Sequence, residues 1–218
     1  MRRALRLLGS LMIVAGVATL AWSLVVWRWE DPFTSLYTAY EQRELADGLD
    51  ERIEGWRDTG ASTIADARTY RRDAERGDAI GRIVVPRLGL RMVFVFGTDT
   101  ESLKRGPGLD PRTFFPGQRH LVYIAGHRTT YSAPFSHIDR LKRGDVVRLE
   151  MPYGTFTYSV TRSIIVPSTQ VSVLRSRGRE EVALQACHPR FFASHRWITY
   201  ARLAGVAPPR GEGSEATG

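Results

Sequence analysis

The chain has 218 residues, enough for one core of ordinary domain size plus extensions, and its 43% apolar and 25% charged residues exclude global disorder. A net charge of +8 suits an anionic membrane or wall surface, and with no nucleic-acid motif and no basic run interleaved with aromatics, a nucleic-acid partner is not expected. The single cysteine excludes an internal disulfide and a cysteine-rich zinc site.

Leu7 to Trp27, LLGSLMIVAGVATLAWSLVVW, contains no charged residue. As a helix it spans roughly 30 Å, one hydrocarbon core. Arg2, Arg3 and Arg6 precede it and Arg28, Glu30 and Asp31 follow it, so the positive bias predicts a cytoplasmic N-terminus (1–6) and an external remainder. Trp22, Trp27 and Trp29 fit an aromatic belt at the outer end. A cleaved signal peptide is the competing reading. The run is long for one, and Arg28-Trp29-Glu30-Asp31 is a poor cleavage site.

Residues 28–78 read as a helical spacer. Asp31 caps and Pro32 opens a helix; Phe33, Leu36, Tyr37 and Tyr40 recur at helical spacing, and Leu45, Leu49 and Ile53 recur every four residues. Gly55 and Asp58-Thr59-Gly60 break the pattern, and Ala65 to Glu75 is again helix-permissive. The favoured expectation is a solvated stalk that holds the next domain off the membrane; a lid or pro-segment folded over a site is the alternative.

From Ala79 the pattern changes to short β-rich runs: Ile80 to Val85, Arg91 to Phe96, His120 to Ala125, Asp145 to Met151, Thr155 to Val166, Val182 to Cys187 and Trp197 to Leu203. Glu101 to Arg105 allows one helical turn, PFSHIDRLKRGD a short helix and a Gly turn, and Pro167 to Arg179 a loop. Seven or eight short strands argue for a mainly β domain over 79–205, either a sandwich or a closed barrel. Residues 206–218, rich in Pro, Gly and small residues, read as a disordered tail.

The chemistry concentrates in VALQACHPRFFASHRWITYARL. Strand alternation places Val182, Leu184 and Ala186 on one face and Ala183, Gln185 and Cys187 on the other, less apolar one. A lone thiol at a strand mouth is a candidate nucleophile, since an exported free thiol is a liability unless used. Arg196 opens the next strand-like run and is a candidate oxyanion partner, because its planar fork is permanently charged and can hold two oxygens; Arg190 is the rival. Of the five histidines, His127 in YIAGHRTTY sits just past a strand in a Gly-containing loop. His188 and His195 adjoin Cys187 and Arg196, and adjacent side chains of an extended segment point to opposite faces.

This order, AGHR about sixty residues before a strand-borne cysteine and an arginine opening the following strand, resembles the sortases, membrane-anchored cysteine transpeptidases of Gram-positive cell walls. Of the family's Thr-Leu-x-Thr-Cys signature, Ala183-Leu184-Gln185-Ala186-Cys187 keeps the Leu and the Cys. Cys187-His188-Pro189, AGHRTTYSAPF and DPFTSLYTAYEQRELADGL are similar to class E sortases of actinobacteria. The resemblance implies a sortase-type closed barrel of seven to eight strands with short helices, behind the transmembrane helix and helical spacer. It implies Cys187 as nucleophile, His127 as general acid or base and Arg196 as oxyanion stabiliser. Ala125, Gly126 and Gln185 would line the substrate groove, with Gln185 standing where a family threonine is common. The implied partners are secreted proteins bearing a C-terminal sorting signal, a cell-wall precursor amine, and the membrane. Neither metal nor cofactor is expected: no run of calcium ligands has the required spacing. An exported cysteine hydrolase and a non-enzymatic wall-binding β module are the competing functions.

Overall fold

A computed structural model describes residues 2–29, 32–56 and 62–209 of the chain. The capping role of Asp31, the break at Asp58-Thr59-Gly60 and the tail beyond Pro209 lie outside the described residues. Helix α1 (Arg2–Trp29) includes one window, Arg6–Ser23, long and apolar enough to cross a membrane, and none of that window is buried. The side chains of Leu11, Ile13 and Leu20 are exposed. A helical window with apolar residues on all faces and none of it buried has a large apolar surface left to cover.

The β-rich part begins with β1 (Ala79–Val85) and β2 (Leu90–Phe96), which pair antiparallel around the single turn Pro86–Leu88. Gly89 closes that turn at φ 62°, the left-handed region where a residue without Cβ has no steric penalty. Then come α4 (Thr100–Arg105), a two-residue β3 (Gly108–Leu109) and β4 (Leu121–Ala125). After a long connection follow β5 (Val146–Met151), β6 (Gly154–Pro167), β7 (Glu181–His188) and β8 (His195–Ala207). They close into a barrel in the order β1-β2-β3-β4-β7-β8-β6-β5. The β2–β3 and β4–β7 pairs are parallel and the others antiparallel. Of the two architectures the strand count allowed, the barrel forms, and closure leaves no free sheet edge.

Alternation decides what fills the barrel. Val122 and Ile124, Leu149, Phe156 and Tyr158, Val182 and Leu184 point inward and are fully buried. The odd-numbered residues of β4 and β7, Leu121, Tyr123 and Ala183, face outward and form a second cluster with Ile198, Tyr200 and Val166. A single turn at Val171–Leu174 in the β6–β7 connection, a stretch expected as plain loop, packs Val173 and Leu174 on that outer cluster. The seven runs expected from the sequence all form strands; β3 was missed because two residues carry no periodicity, and β8 runs to Ala207, two residues past the expected end of the domain.

The spacer differs from its favoured expectation. Helix α2 (Pro32–Gly55) lies against the barrel, with Leu45 and Leu49 buried beside Ala79, Val93 and Val95. Gln42 completes the seam: its amide nitrogen donates to the Val93 and Arg105 carbonyls at 2.9 Å each, and its oxygen accepts from the Val93 N–H at 2.8 Å. Glu41 pairs with Arg105 at 2.7 Å and Thr38 donates to the Lys104 carbonyl at 2.9 Å. Helix α3 (Thr63–Asp73), capped by Ser62, contributes Ala67 and Tyr70 to the main core. The stripe Leu45-Leu49 is thus a docking face, and the two helices fold as part of the barrel's body.

Candidate active site

β7 and β8 pair in register, with Gln185 opposite Ile198 and Cys187 opposite Arg196. Directly opposed residues of an antiparallel pair share a face, with Cβ atoms about 5 Å apart. The Cys187 thiol and the Arg196 guanidinium are therefore cross-strand neighbours on the outer face of the barrel. On the other side β4 runs parallel to β7, placing Ala125 opposite Gln185. The chain then continues past the end of β4 through Gly126 to His127, which comes level with the end of β7.

Backbone bonds hold this crossing point. The Gly126 N–H donates to the Gln185 carbonyl at 3.0 Å, and the Phe135 N–H donates to the His127 carbonyl at 3.1 Å. Gly126 is needed here because a Cβ would lie 2.7 Å from the Phe135 ring. The returning loop bears three successive left-handed residues, Tyr131 (φ 52°), Ser132 (φ 57°) and Ala133 (φ 35°). Such a run persists only where its surroundings over-determine it. The surroundings are α2: the Tyr131 N–H donates to Thr34 Oγ at 2.9 Å and Ser132 Oγ donates to the Ser35 carbonyl at 3.3 Å. The Tyr131 ring rests 5.0 Å from the His127 ring, centroid to centroid.

Cys187, His127, Arg196, Ala125, Gly126 and Gln185, the six residues singled out from the sequence, all line one cavity of about 290 Å³. Tyr123 forms part of its floor, and Val171 and Leu174 of the β6–β7 connection form a wall. The Tyr123 hydroxyl donates to Gln185 Oε1 at 3.4 Å, and burial pushes that phenol well up, so it stays protonated as a donor. Asp110, buried at the cavity margin, accepts from Arg112 Nε at 2.9 Å and Nη2 at 2.6 Å. Burial works against its charge, yet the paired Arg112 holds the carboxyl below its usual range. The rival Arg190 and the neighbouring His188 and His195 are not among the lining residues.

His127 is half-buried, and its Nε2 is inaccessible to water with no hydrogen-bond partner among the described residues. Burial lowers its pKa from the ordinary histidine value, so the neutral imidazole prevails at neutral pH. Arg196 Nη1 donates to the carbonyls of Ala193 at 2.7 Å and His195 at 3.0 Å, which ties one prong of the fork to its own loop. A thiol, a neutral imidazole and a fixed cation on one cavity wall suit acyl transfer through sulfur.

Reading the sequence alone missed Arg128. It is 7% exposed. Its Nη1 donates to the Cys187 carbonyl at 3.2 Å and to His188 Nδ1 at 3.0 Å, and its Nη2 to Asp139 Oδ1 at 2.8 Å. Tyr131 and the docked α2 were missed as well. The available signals were AGHR itself, where two functional side chains can adjoin, and the polar Gln42 inside a helical stripe.

A model of the sortase domain family matches residues 83–204. Sortase D of Bacillus subtilis (strain 168) is 30% identical over 132 residues, 59% of this chain and 65% of that protein. The chain thus spans just under two thirds of the length of that curated relative. Sortase E from Streptomyces avermitilis is 31% identical with a TM-score of 0.56, covering 63% of this chain and 97% of that one. Sortase C from Clostridium perfringens, solved with a C-terminal cell wall sorting motif, has the same fold at 21% identity and a TM-score of 0.66, over 75% of this chain and 98% of that one.

Proposed function

Since the chain belongs to the sortase family, we propose that it is a membrane-tethered cysteine transpeptidase acting on proteins with a C-terminal sorting signal of the LPxTG or LAxTG type. The observation that carries this reading is the register of Cys187 against Arg196, with His127 brought level with them from β4 around one cavity. Cys187 attacks the carbonyl carbon of the Thr–Gly amide. His127, neutral in the free protein, accepts the thiol proton and returns it to the departing amine. Arg196 holds the oxyanion of the tetrahedral intermediate, and the C–N bond breaks to leave a thioacyl enzyme. A cell-wall precursor amine then attacks the thioester, the thiol leaves, and an amide joins the protein to the wall. Ala125, Gly126 and Gln185 form the wall of the groove that receives the signal. Helix α1 crosses the membrane with its Arg-rich start inside, which leaves the barrel on the outer face.

The test uses the full chain in detergent and its Cys187→Ala variant. Each is incubated with LPxTG and LAxTG peptides and a glycine-based amine, and products are read by mass. The expected outcome is cleavage after Thr with amine-joined product, and none with Cys187→Ala. Acid product alone, with amine in excess, would make the protein a hydrolase; no cleavage and no thioacyl adduct would leave a wall-binding module.

A further inference from the structure

Arg128 does more than occupy the position after His127. Its guanidinium is buried, and burying a charge is costly unless every direction is answered. Nη2 is answered by the Asp139 carboxylate. Nη1 is spent on two groups of the nucleophile's own strand end, the carbonyl of Cys187 and Nδ1 of His188. The Trp197 ring of β8 lies 6.0 Å from the guanidinium carbon, while Nε is buried with no hydrogen-bond partner among the described residues, so the two terminal nitrogens carry the whole attachment. The residue after the candidate acid–base is therefore bonded to the main chain of the candidate nucleophile, across a gap of 59 positions in sequence.

His188 fits this role. Arginine offers only donors, so Nδ1 must supply a lone pair, and the ring proton sits on Nε2. Burial, then the Arg128 charge, then His195 on the paired position of β8 all lower the His188 pKa, while Asp139 acts the other way. A second imidazolium beside Cys187 is thus disfavoured.

We propose that Arg128 is a positioning residue for the Cys187–His127 pair: its fork ties the His127 segment to the Cys187 carbonyl and so sets the approach of imidazole to thiol. This rests on the transpeptidase reading for its catalytic consequence, but its geometric content can be measured without any sorting peptide. A lysine at this position keeps the charge and loses the fork, because a single ammonium cannot span the Cys187 carbonyl, His188 and Asp139 at once.

The experiment is a cycle on the full chain in detergent, reading the iodoacetamide alkylation rate of Cys187 with and without His127→Gln, in the wild-type and Arg128→Lys backgrounds. His127→Gln is expected to change the alkylation rate several-fold in the wild type and by less than about twofold beside Arg128→Lys. With peptide and amine present, Arg128→Lys is expected to lower kcat on the order of ten- to a hundredfold with KM within about twofold, the mark of lost alignment. Melting curves identify an unfolded variant; should Arg128→Lys not fold, Asp139→Asn, which keeps the guanidinium and loosens one end of it, is expected to reduce the His127 effect part-way. Equal His127 effects in both backgrounds would overturn the proposal, as would a folded Arg128→Lys with wild-type kcat. No His127 effect in the wild type would remove the pair and the proposal with it. A wild-type protein that cuts no peptide but shows the cycle would retain the proposal and sink only the transpeptidase reading.

Discussion

His127 is the residue where burial and chemistry meet. Its ring is half-buried, with Nε2 closed off from water, and this lowers its pKa below the ordinary value of about 6.5. The sign of the stability effect follows from linkage. As pH falls from neutrality, the unfolded chain takes up the histidine proton first and the folded chain only lower down, so through that window the unfolded state binds more protons and stability drops. His127→Gln has no such proton to bind. The melting temperature of the wild type is therefore expected to fall relative to that of His127→Gln as pH is lowered through 6.5 and below, and the two are expected to run parallel above about pH 7.5. Parallel curves at all pH values would mean the imidazole is as well solvated in the fold as outside it. Cys187, His127 and Arg196, which line one cavity, could be singled out in the sequence as candidates because a proposed thiol site demands those residue types; strand alternation gave the face of Cys187, and the family resemblance chose Arg196 over Arg190. Arg128 could not be, because its meaning lies in a carbonyl and a carboxylate that only the closed barrel brings within reach.

At the scale of elements, α2 shows where periodicity stops being informative. Leu45, Leu49 and Ile53 were visible as a stripe, but a narrow stripe in a polar helix fits both a solvated stalk and a docked helix. The decision lies in its partners Ala79, Val93 and Val95 and in Gln42, which bonds to the Val93 N–H and carbonyl much as a neighbouring strand would. No local rule marks a glutamine for that role. Leu49 is fully buried, so Leu49→Ala is expected to destabilise the folded protein by about 2–5 kcal/mol, the usual range for a large-to-small change in a core. Chemical denaturation of both proteins checks this. A change below about 0.5 kcal/mol, the size usual for surface substitutions, would return α2 to the status of a stalk. The strands themselves were readable in kind, since their alternation survives in the sequence; β3 was lost because its two residues are defined by their neighbours alone.

Across the whole molecule, two kinds of surface need explaining: an apolar helical window, Arg6–Ser23, none of which is buried, and a net charge of +8. Both favour a membrane, but by different physics. Attraction of basic residues to anionic lipid is screened within about 8 Å at physiological salt and weakens further as salt rises, whereas burial of an apolar helix in hydrocarbon is not. The full chain is expected to float with liposomes of mixed neutral and anionic lipid in 1 M salt, while the chain from Pro32 onward is expected to stay in the supernatant. Release of the full chain by salt would reduce α1 to a helix that does not insert.

The pairing of β4 with β7 carries one more consequence. The strand that delivers His127 and the strand that delivers Cys187 are neighbours in space, yet β5 and β6 are made between them and lie elsewhere in the barrel. No contiguous fragment smaller than most of the domain can hold the thiol, the imidazole and the guanidinium together. A chain that is still folding carries Cys187 without its assembled partners. The candidate site is therefore complete only once β7 has joined β4 and β8 has joined β6, and anything that delays that pairing keeps Cys187 apart from His127.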